Sequence, residues 1–281
     1  MYFARSEEQQ LLQSMAKEFV NRESSLRRIR ELREDSVGFS KEVWKKMAEL
    51  GWLGMPFPEP VGGQGMGMVE TVVVMEELGR GLMPEPMLSS VLLGAMAIVQ
   101  GGSADQQATW LPRIIEGQAL LTLGYLEQQS RYDPFYGAVQ AKRAGSNWTL
   151  SGEKMFVPDA ALAERLLVTA RTRSGRRDRE GVALFLVDPK AKGVTLTAVP
   201  MMDWRKRYTV KLEGVKLDDA QRLSGDAPAD QVIEATLGRA TVGLCAEMLG
   251  AMNQAFDMPV AYLKTRKQFG VPIGSFQALK H

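Results

Sequence analysis

The chain has 281 residues and is 45% hydrophobic and 24% charged, a composition typical of a globular protein with a large core. A chain of this length is expected to hold about two domains. Its net charge of +2 argues against a nucleic-acid-binding protein, because such proteins usually carry a strongly basic surface.

Residues 1–119 are predicted to form a helical domain. Two capping boxes, in which a serine is followed three residues later by a glutamine, mark helix starts at Ser6–Gln9 and Ser103–Gln106. An apolar stripe with helical spacing follows each of them. Residues 87–99 are apolar nearly all round, which indicates a buried helix.

The same domain contains a glycine-rich loop between two further predicted helices. Ser40 is a predicted N-cap of the first, and the second spans 69–82 with Gly79 as its stop. The loop at 54–68 is superficially similar to a dinucleotide-binding turn, but prolines rather than a strand precede its glycines. A plain loop rich in glycine and proline is the better interpretation.

Residues 120–225 are predicted to form a β domain, because strand-like segments alternate with turn residues. The predicted strands span 119–127, 148–157, 165–171, 182–188, 193–199 and 208–217. Short strands at this spacing are typical of a compact antiparallel sandwich or barrel. The basic run RTRSGRRDRE at 171–180 is interrupted by Ser174, Gly175 and Asp178, and a solvated hairpin loop is favoured over a phosphate-binding patch.

Residues 226–281 are predicted to be the first part of a C-terminal helical bundle, so that the fold class is α+β. Apolar residues step by three and four along one long helix and predict a single buried face: Ile233, Leu237, Ala240, Leu244, Met248, Ala251 and Ala255. A second helix is expected near Ser275. Half a bundle would leave apolar stripes facing water, so we expect the domain to be incomplete here or completed by another chain.

Cys245 is the only cysteine and His281 is the only histidine. Cys245 lies in an apolar helical run and is expected to be buried, and a lone cysteine forms no intramolecular disulfide. The single histidine makes a metal site of Cys and His ligands unexpected. No apolar run reaches the ~18 residues of a membrane span, and the polar start lacks a signal-peptide core. We expect a cytoplasmic protein with no metal site and no membrane span.

Several motifs occur in the order and spacing of one enzyme family. They are LGWLG at 50–54 after Trp44, PEPVGGQG at 58–65, EELGR at 76–80, GSADQQATWLPRIIEG at 102–117, SGEKMF at 151–156, AERLLVTAR at 163–171 and RKQFGVPIGSFQ at 266–277. Together they resemble the acyl-CoA dehydrogenase family of flavin enzymes, and the resemblance covers essentially the whole chain. The last motif is the most specific.

The resemblance implies that Arg266 reaches across a subunit interface to the pyrophosphate of a neighbouring subunit's FAD, with Phe269 and Gln277 nearby. A guanidinium fork suits phosphate oxygens. The alternative is that Arg266 and Lys267 are surface charges at a helix C-terminus, where cations are favoured. The resemblance also implies further helices after His281, so we expect either a truncated chain or a naturally short subunit.

The resemblance places the flavin ring against the β domain. In GYLEQQSRYD, at 124–133, a leucine replaces the family's threonine and a tyrosine replaces its serine, while a proline replaces a second threonine after GEKM. The implied cofactor-binding residues here are Tyr125, Leu126, Glu127, Phe156 and Pro158, and the implied substrate-binding residues are Tyr132 and Arg239. Backbone N–H groups can replace lost hydroxyl donors. Packing within the β domain is the alternative role for Tyr125, Tyr132 and Phe156.

The resemblance implies that a glutamate removes a proton from the α-carbon of an acyl thioester while a hydride leaves the β-carbon for the flavin. One of the family's two positions for that base is Gly238 here, just before Arg239, and the other is implied to lie beyond His281. No catalytic residue is therefore assigned. Glu234 and Glu247 are interpreted as surface or interface charges.

The leading hypothesis is an FAD-dependent oxidoreductase of lipid metabolism. It would carry out α,β-dehydrogenation of an acyl-CoA and pass electrons to an electron-transfer flavoprotein, as a homo- or hetero-oligomer (a dimer or tetramer). A second hypothesis is a non-catalytic partner subunit of a hetero-oligomeric acyl-CoA dehydrogenase. A third is an O₂-using flavin oxidase of the same fold.

Overall fold

A computed structural model describes residues 4–173 and 175–281 of the chain. The N-terminal part is helical, as predicted. Its α-helices are α1 (Glu7–Glu23), α2 (Leu26–Glu34), α3 (Lys41–Glu49), α4 (Gly67–Arg80), α5 (Met96–Gly101) and α6 (Ala104–Ile115). A 3₁₀ turn at Glu59–Val61 and a π-helix at Met87–Ala95 lie between them, and the π-helix and α5 form the predicted buried helix.

The predicted helix starts are confirmed. In both capping boxes the serine side chain accepts a backbone N–H from the glutamine, whose side chain accepts the serine N–H in return, at Ser6–Gln9 and Ser103–Gln106. Ser40 caps α3 through the backbone N–H of Val43. These contacts satisfy donors that a helix leaves unpaired in its first turn.

The middle of the chain forms a seven-stranded sheet. Its strands are β1 (Leu121–Gly124), β2 (Gln140–Ala144), β3 (Asn147–Pro158), β4 (Arg165–Arg171), β5 (Val182–Val187), β6 (Val194–Val199) and β7 (Arg207–Asp218). The strand order is β1-β4-β2-β3-β7-β6, with β5 beside β4. The sheet is mixed rather than purely antiparallel, because β1 and β2 each pair with β4 in parallel.

Strand β4 separates two hydrophobic cores. Leu167 packs into the helical core, whereas Leu166 and Val168 pack into the core of the β domain. Successive side chains of a strand point to opposite faces, so β4 is apolar on both sides. The predicted hairpin loop joins β4 to β5 and is exposed, but Arg171 at its start is buried, which the sequence did not indicate. Ser174 lies outside the described residues.

The C-terminal part begins with the predicted long helix, α7 (Ala229–Thr265), which has 37 residues. A small hairpin of β8 (Lys267–Gln268) and β9 (Val271–Pro272) follows, and then α8 (Gln277–Lys280) close to the predicted position. Within the described ranges, no helix combines the length and the apolar character needed to cross a bilayer.

The predicted buried face of α7 is partly wrong. Ile233 and Ala240 are buried, but Leu244 and Met248 are exposed, and so is Cys245, which we expected to be buried. The side of α7 that packs on the N-terminal helices consists instead of small residues: Thr236, Ala240, Gly243, Ala246 and Gly250. A pattern of large apolar residues therefore marks the surface that this structure leaves uncovered.

The close crossing of α4 and α7 explains these small residues. A Cβ atom built on Gly250 would lie 1.7 Å from the carbonyl oxygen of Glu76, and one built on Gly79 would lie 1.9 Å from that of Glu247. Only glycine allows the two backbones to approach so closely. The predicted helix stop at Gly79 is wrong, because α4 continues to Arg80. Gly79 is needed for the close crossing instead.

We expect Gly250→Ala to lower the free energy of unfolding by about 2 kcal/mol or more. The added methyl group meets backbone that cannot move aside, and this cost exceeds the ~1 kcal/mol that alanine gains over glycine in a helix. Gly238→Ala on the same helix is the matched control, because a Cβ atom there meets nothing within 4 Å. The control should be neutral or slightly stabilising in urea denaturation, and equal stability of both variants would contradict the close crossing.

Candidate functional site

The segment that follows β1 meets a bulge in β3, and the surface that Tyr125, Leu126, Phe156 and Pro158 share there is called the groove. The backbone N–H of Met155 donates to the carbonyl of Leu126 at 2.8 Å, which brings the two segments together. The pairing of β3 with β7 slips between Lys154 and Val157, so that Phe156 is the extra residue of the bulge. Its ring is turned outwards and is 43% exposed.

The backbone of this bulge is strained. Phe156 has φ 53°, in the left-handed region that bulky residues rarely occupy, and Asp159, just after β3, has φ 51°, which aspartate adopts more readily. Such a conformation costs about 1–3 kcal/mol and persists only where the surrounding structure enforces it. Strain of this kind clusters at functional sites, so the bulge marks this groove as a candidate site.

A buried ion pair lies beneath the groove. The Lys154 ammonium donates to Glu127 Oε1 at 2.6 Å, to Thr169 Oγ at 2.8 Å and to the carbonyl of Tyr125 at 3.3 Å. Glu127 also accepts the backbone N–H groups of Ala138, at 2.6 Å, and Val139, at 3.3 Å. Burial lowers the pKa of Lys154 to about 8, while the neighbouring Glu127 carboxylate opposes that shift.

Glu127 is buried, whereas the other predicted cofactor residues of the β domain are at least partly exposed. Its carboxylate is buried in the β domain, where it accepts hydrogen bonds from Lys154 of β3 and from the backbone just before β2. Tyr125 is half-buried, and burial raises the pKa of its phenol. Within residues 4–173 and 175–281 no group accepts the backbone N–H of Leu126. Pro158 has no N–H to offer.

Tyr132 lies away from the groove on an exposed corner. Its side chain is 89% exposed, and Tyr132 and Arg131 both have positive φ. The corner is held to the basic loop by Asp133, which pairs with Arg177 at 2.9 Å, and by the buried Arg171, whose guanidinium donates to backbone carbonyls of both segments. The basic loop is thus a docked part of the β domain.

On α7 the predicted site positions hold no free carboxylate. Gly238 is exposed and open space surrounds it. Arg239 is half-buried and donates to the carbonyl of Ala235 at 3.3 Å. Glu234 pairs with Arg179 on the surface at 2.7 Å, as expected for a surface charge. Glu247 instead lies in a cavity wall and is paired with Arg205.

That cavity has a volume of about 550 Å³ and lies where the three parts of the chain meet. Helices α2, α4 and α7 line it together with the loop before β7 and Asp159, which follows the strained bulge. Asp159 accepts a hydrogen bond from Ser89 Oγ, and its burial raises the pKa of its carboxyl group. No signal in the sequence pointed to Ser89, Asp159 or Arg205, because their proximity depends on the packing of three domains.

The C-terminal residues of the predicted site are all exposed. Arg266 follows the last residue of α7, and Ala251 is the last α7 residue that lines the cavity. The rise of a helix puts them about 22 Å apart along its axis. Phe269 is 90% exposed and has φ 54°, next to Gly270 with φ 81°, as in the tight primed turns of hairpins. Arg266, Phe269 and Gln277 therefore all lie beyond the stretch of α7 that lines the cavity.

The described residues contain no group of three or more His, Cys, Asp or Glu side chains that could hold a metal ion. Models of the N-terminal, middle and C-terminal domains of acyl-CoA dehydrogenase match residues 6–118, 122–212 and 231–281. These matches cover most of the chain in the order of the three structural parts.

The chain is also similar to individual acyl-CoA dehydrogenases and to a solved structure. The chain is 30% identical over its whole length to a probable acyl-CoA dehydrogenase, YngJ, of Bacillus subtilis, and covers 74% of that protein. It is 34% identical over 89% of its length to the acyl-CoA dehydrogenase FadE27 of Mycobacterium tuberculosis, and covers 63% of it. The crystal structure of the ChsE4–ChsE5 complex from Mycobacterium tuberculosis superposes with a TM-score of 0.87 at 32% identity, over 99% of this chain and 72% of that one.

We expect Lys154→Met to lower the free energy of unfolding by about 3–5 kcal/mol, because it leaves the Glu127 carboxylate buried without its cation. The double variant Lys154→Met/Glu127→Gln should lose clearly less than the sum of the two single losses. Lys142→Met, at an exposed position of β2, is the matched control and should change stability by less than ~0.5 kcal/mol. Additive losses in urea denaturation would contradict the buried pair.

Proposed function

The chain belongs to the acyl-CoA dehydrogenase family, and on that premise we propose that the whole protein is an FAD-dependent oxidoreductase acting on an acyl-CoA thioester. The reaction proposed is α,β-dehydrogenation, with electrons passed to an electron-transfer flavoprotein. The observation that carries the proposal is the strained, outward-facing Phe156 beside the N–H of Leu126, which has no acceptor among the described residues. Asp159, three residues after Phe156, lines a cavity large enough for an acyl group.

The groove residues fit a flat aromatic cofactor. The half-exposed ring of Phe156 offers an aromatic face for stacking. The backbone N–H of Leu126, which has no acceptor among the described residues, supplies a donor, and a backbone donor does not depend on the side chain. The leucine that replaces the family's threonine therefore removes one hydroxyl but keeps a hydrogen-bond donor. Tyr125 and Pro158 complete the wall.

Bound FAD supplies the electron acceptor for oxidation of the acyl group. The role proposed for this chain's own residues is to hold and orient the reactants. The ion pair of Lys154 and Glu127 keeps the Tyr125–Leu126 segment rigid, and the apolar wall of the cavity excludes water from the acyl chain. Tyr132 and Arg239 do not line the cavity, so they are proposed to contact a part of the substrate that lies outside it.

The α-proton needs a base, and we propose that a segment following residue 281 supplies it. Gly238 has no side chain to act as a base, and Arg205 neutralises Glu247. Arg266 is proposed to bind the pyrophosphate of FAD in a second subunit, with Phe269 and Gln277 at the same interface. The separation of about 22 Å along α7 between Ala251 and Arg266 supports an assembly of two or more chains.

A non-catalytic partner subunit is the second candidate function. Gly238 and Pro158 favour it, because both positions lack the side chains that the family resemblance implies. The likeness to the ChsE4–ChsE5 complex also fits a hetero-oligomer. In either case a cytoplasmic protein without a membrane span is proposed.

The visible spectrum of the full-length protein tests the proposal. Purified protein should show flavin absorption that is bleached anaerobically by at least one acyl-CoA from a series of increasing chain length. Colourless protein that takes up FAD only when mixed with a second subunit would support the partner function instead. Fast reoxidation in air with release of peroxide would identify an oxidase. Colourless protein that takes up no FAD under either condition would contradict the proposed function.

We expect Arg266→Ala to weaken FAD retention by about tenfold or more, because a charged hydrogen bond to phosphate is lost. Dialysis of the intact oligomer, followed by quantification of bound flavin, measures the effect, and gel filtration checks the assembly. Lys264→Ala, at an exposed position in the last turn of α7, is the matched control for a lost positive charge. Unchanged retention in Arg266→Ala would count against the interface role.

A further inference from the structure

We propose that the polar wall of the 550 Å³ cavity binds a carboxylate at the far end of the substrate's acyl group, and that Arg207 is the cation that receives it. The inference rests on the proposed function, because it assumes that the acyl group enters this cavity. It goes further by naming the substrate class, which is an acyl thioester with an anionic tail.

The cavity has two chemically different walls. One wall is apolar and comes mainly from the helices, with Leu32, Val37, Phe39, Leu88, Leu244 and Met248. A run of charged side chains comes from the segment that leads into β7 and from its first residue: Asp203, Arg205, Lys206 and Arg207. A ligand that fills this space needs an apolar body and a charged group at one side.

The charges of the whole lining favour an anion as that group. Arg30, Arg33, Arg205, Lys206 and Arg207 are its cationic side chains, and Asp159, Asp203 and Glu247 are its anionic ones. Positive charge is therefore in excess. A carboxylate on the ligand would reduce this excess of positive charge, whereas an ammonium group on the ligand would increase it.

Arg205 and Arg207 are not equivalent. Arg205 forms an ion pair with Glu247, so its charge is already neutralised. Arg207 forms no ion pair with any described residue, and its one hydrogen bond there is a long contact of 3.4 Å to the carbonyl of Lys206. Asp159 attracts Arg207 through space but forms no hydrogen bond or ion pair with it, and one of its carboxylate oxygens accepts a hydrogen bond from Ser89.

The Arg207 guanidinium thus has most of its five N–H donors unused at the wall of a cavity. Its burial lowers its pKa, which means that the surrounding protein stabilises the charge less than water does. A carboxylate matches the planar fork of a guanidinium with two parallel hydrogen bonds. An acyl group that ends in a methyl would offer this partly buried cation no partner, so the site discriminates against it.

Binding of two matched ligands to the flavin-loaded, full-length protein tests the inference. The ligands are the thioether S-octyl-CoA and its counterpart with a terminal carboxylate, S-(ω-carboxyheptyl)-CoA, neither of which has the carbonyl needed for oxidation. Isothermal titration calorimetry should give about tenfold or more tighter binding of the carboxylate ligand. Equal binding of both ligands, or tighter binding of S-octyl-CoA, would overturn the inference and leave the proposed function standing.

Variants of Arg207 test whether this residue causes the preference for the carboxylate ligand. Arg207→Met should abolish the preference for the carboxylate ligand and change the affinity for S-octyl-CoA by less than about threefold. Arg207→Lys, which keeps the charge but not the fork, should retain part of the preference. Arg27→Met, on the exposed side of α2 and outside the cavity lining, should retain all of it. A preference that persists in Arg207→Met, or is lost in Arg27→Met, would contradict a site at Arg207.

Discussion

The buried ion pair of Lys154 and Glu127 is the interaction on which the groove depends. Two opposite charges in a protein interior are tolerated only when each is fully hydrogen-bonded, and here each has further partners, including Thr169 and two backbone N–H groups. Through those partners the pair joins the end of β1 to β2, β3 and β4. The segment at Leu126 and the bulge at Phe156 are positioned as a consequence.

The strained bulge at Phe156 lies directly beside this ion pair in the sequence of β3. A phenylalanine with positive φ is unfavourable by itself, yet the same backbone also turns Asp159 towards Ser89 and the cavity. The bulge presents an aromatic ring to the groove, and Asp159, three residues later, presents a carboxylate to the cavity. The ordered sheet on either side offsets the energy that the strained backbone costs.

The sequence predicted the parts that depend on local signals. The capping serines, the strand at 165–171 and the long α7 were all recognisable from spacing alone. The prediction failed at Gly79, because this glycine serves the close crossing of α4 with α7 rather than a helix end. The exposure of Leu244 and Cys245 has the same cause, since small residues occupy the buried side. Local sequence patterns do not predict contacts between distant segments. The ion pair, the bulge and the surroundings of Arg207 depend on such contacts.

A cryo-electron microscopy map of the full-length protein, purified with its own cofactor, tests the central claim most directly. The account predicts density for an isoalloxazine ring against Phe156 and the backbone N–H of Leu126. It also predicts that the pyrophosphate of the cofactor lies beside Arg266 of the partner subunit. A groove filled by protein side chains, with Arg266 pointing into solvent, would contradict it.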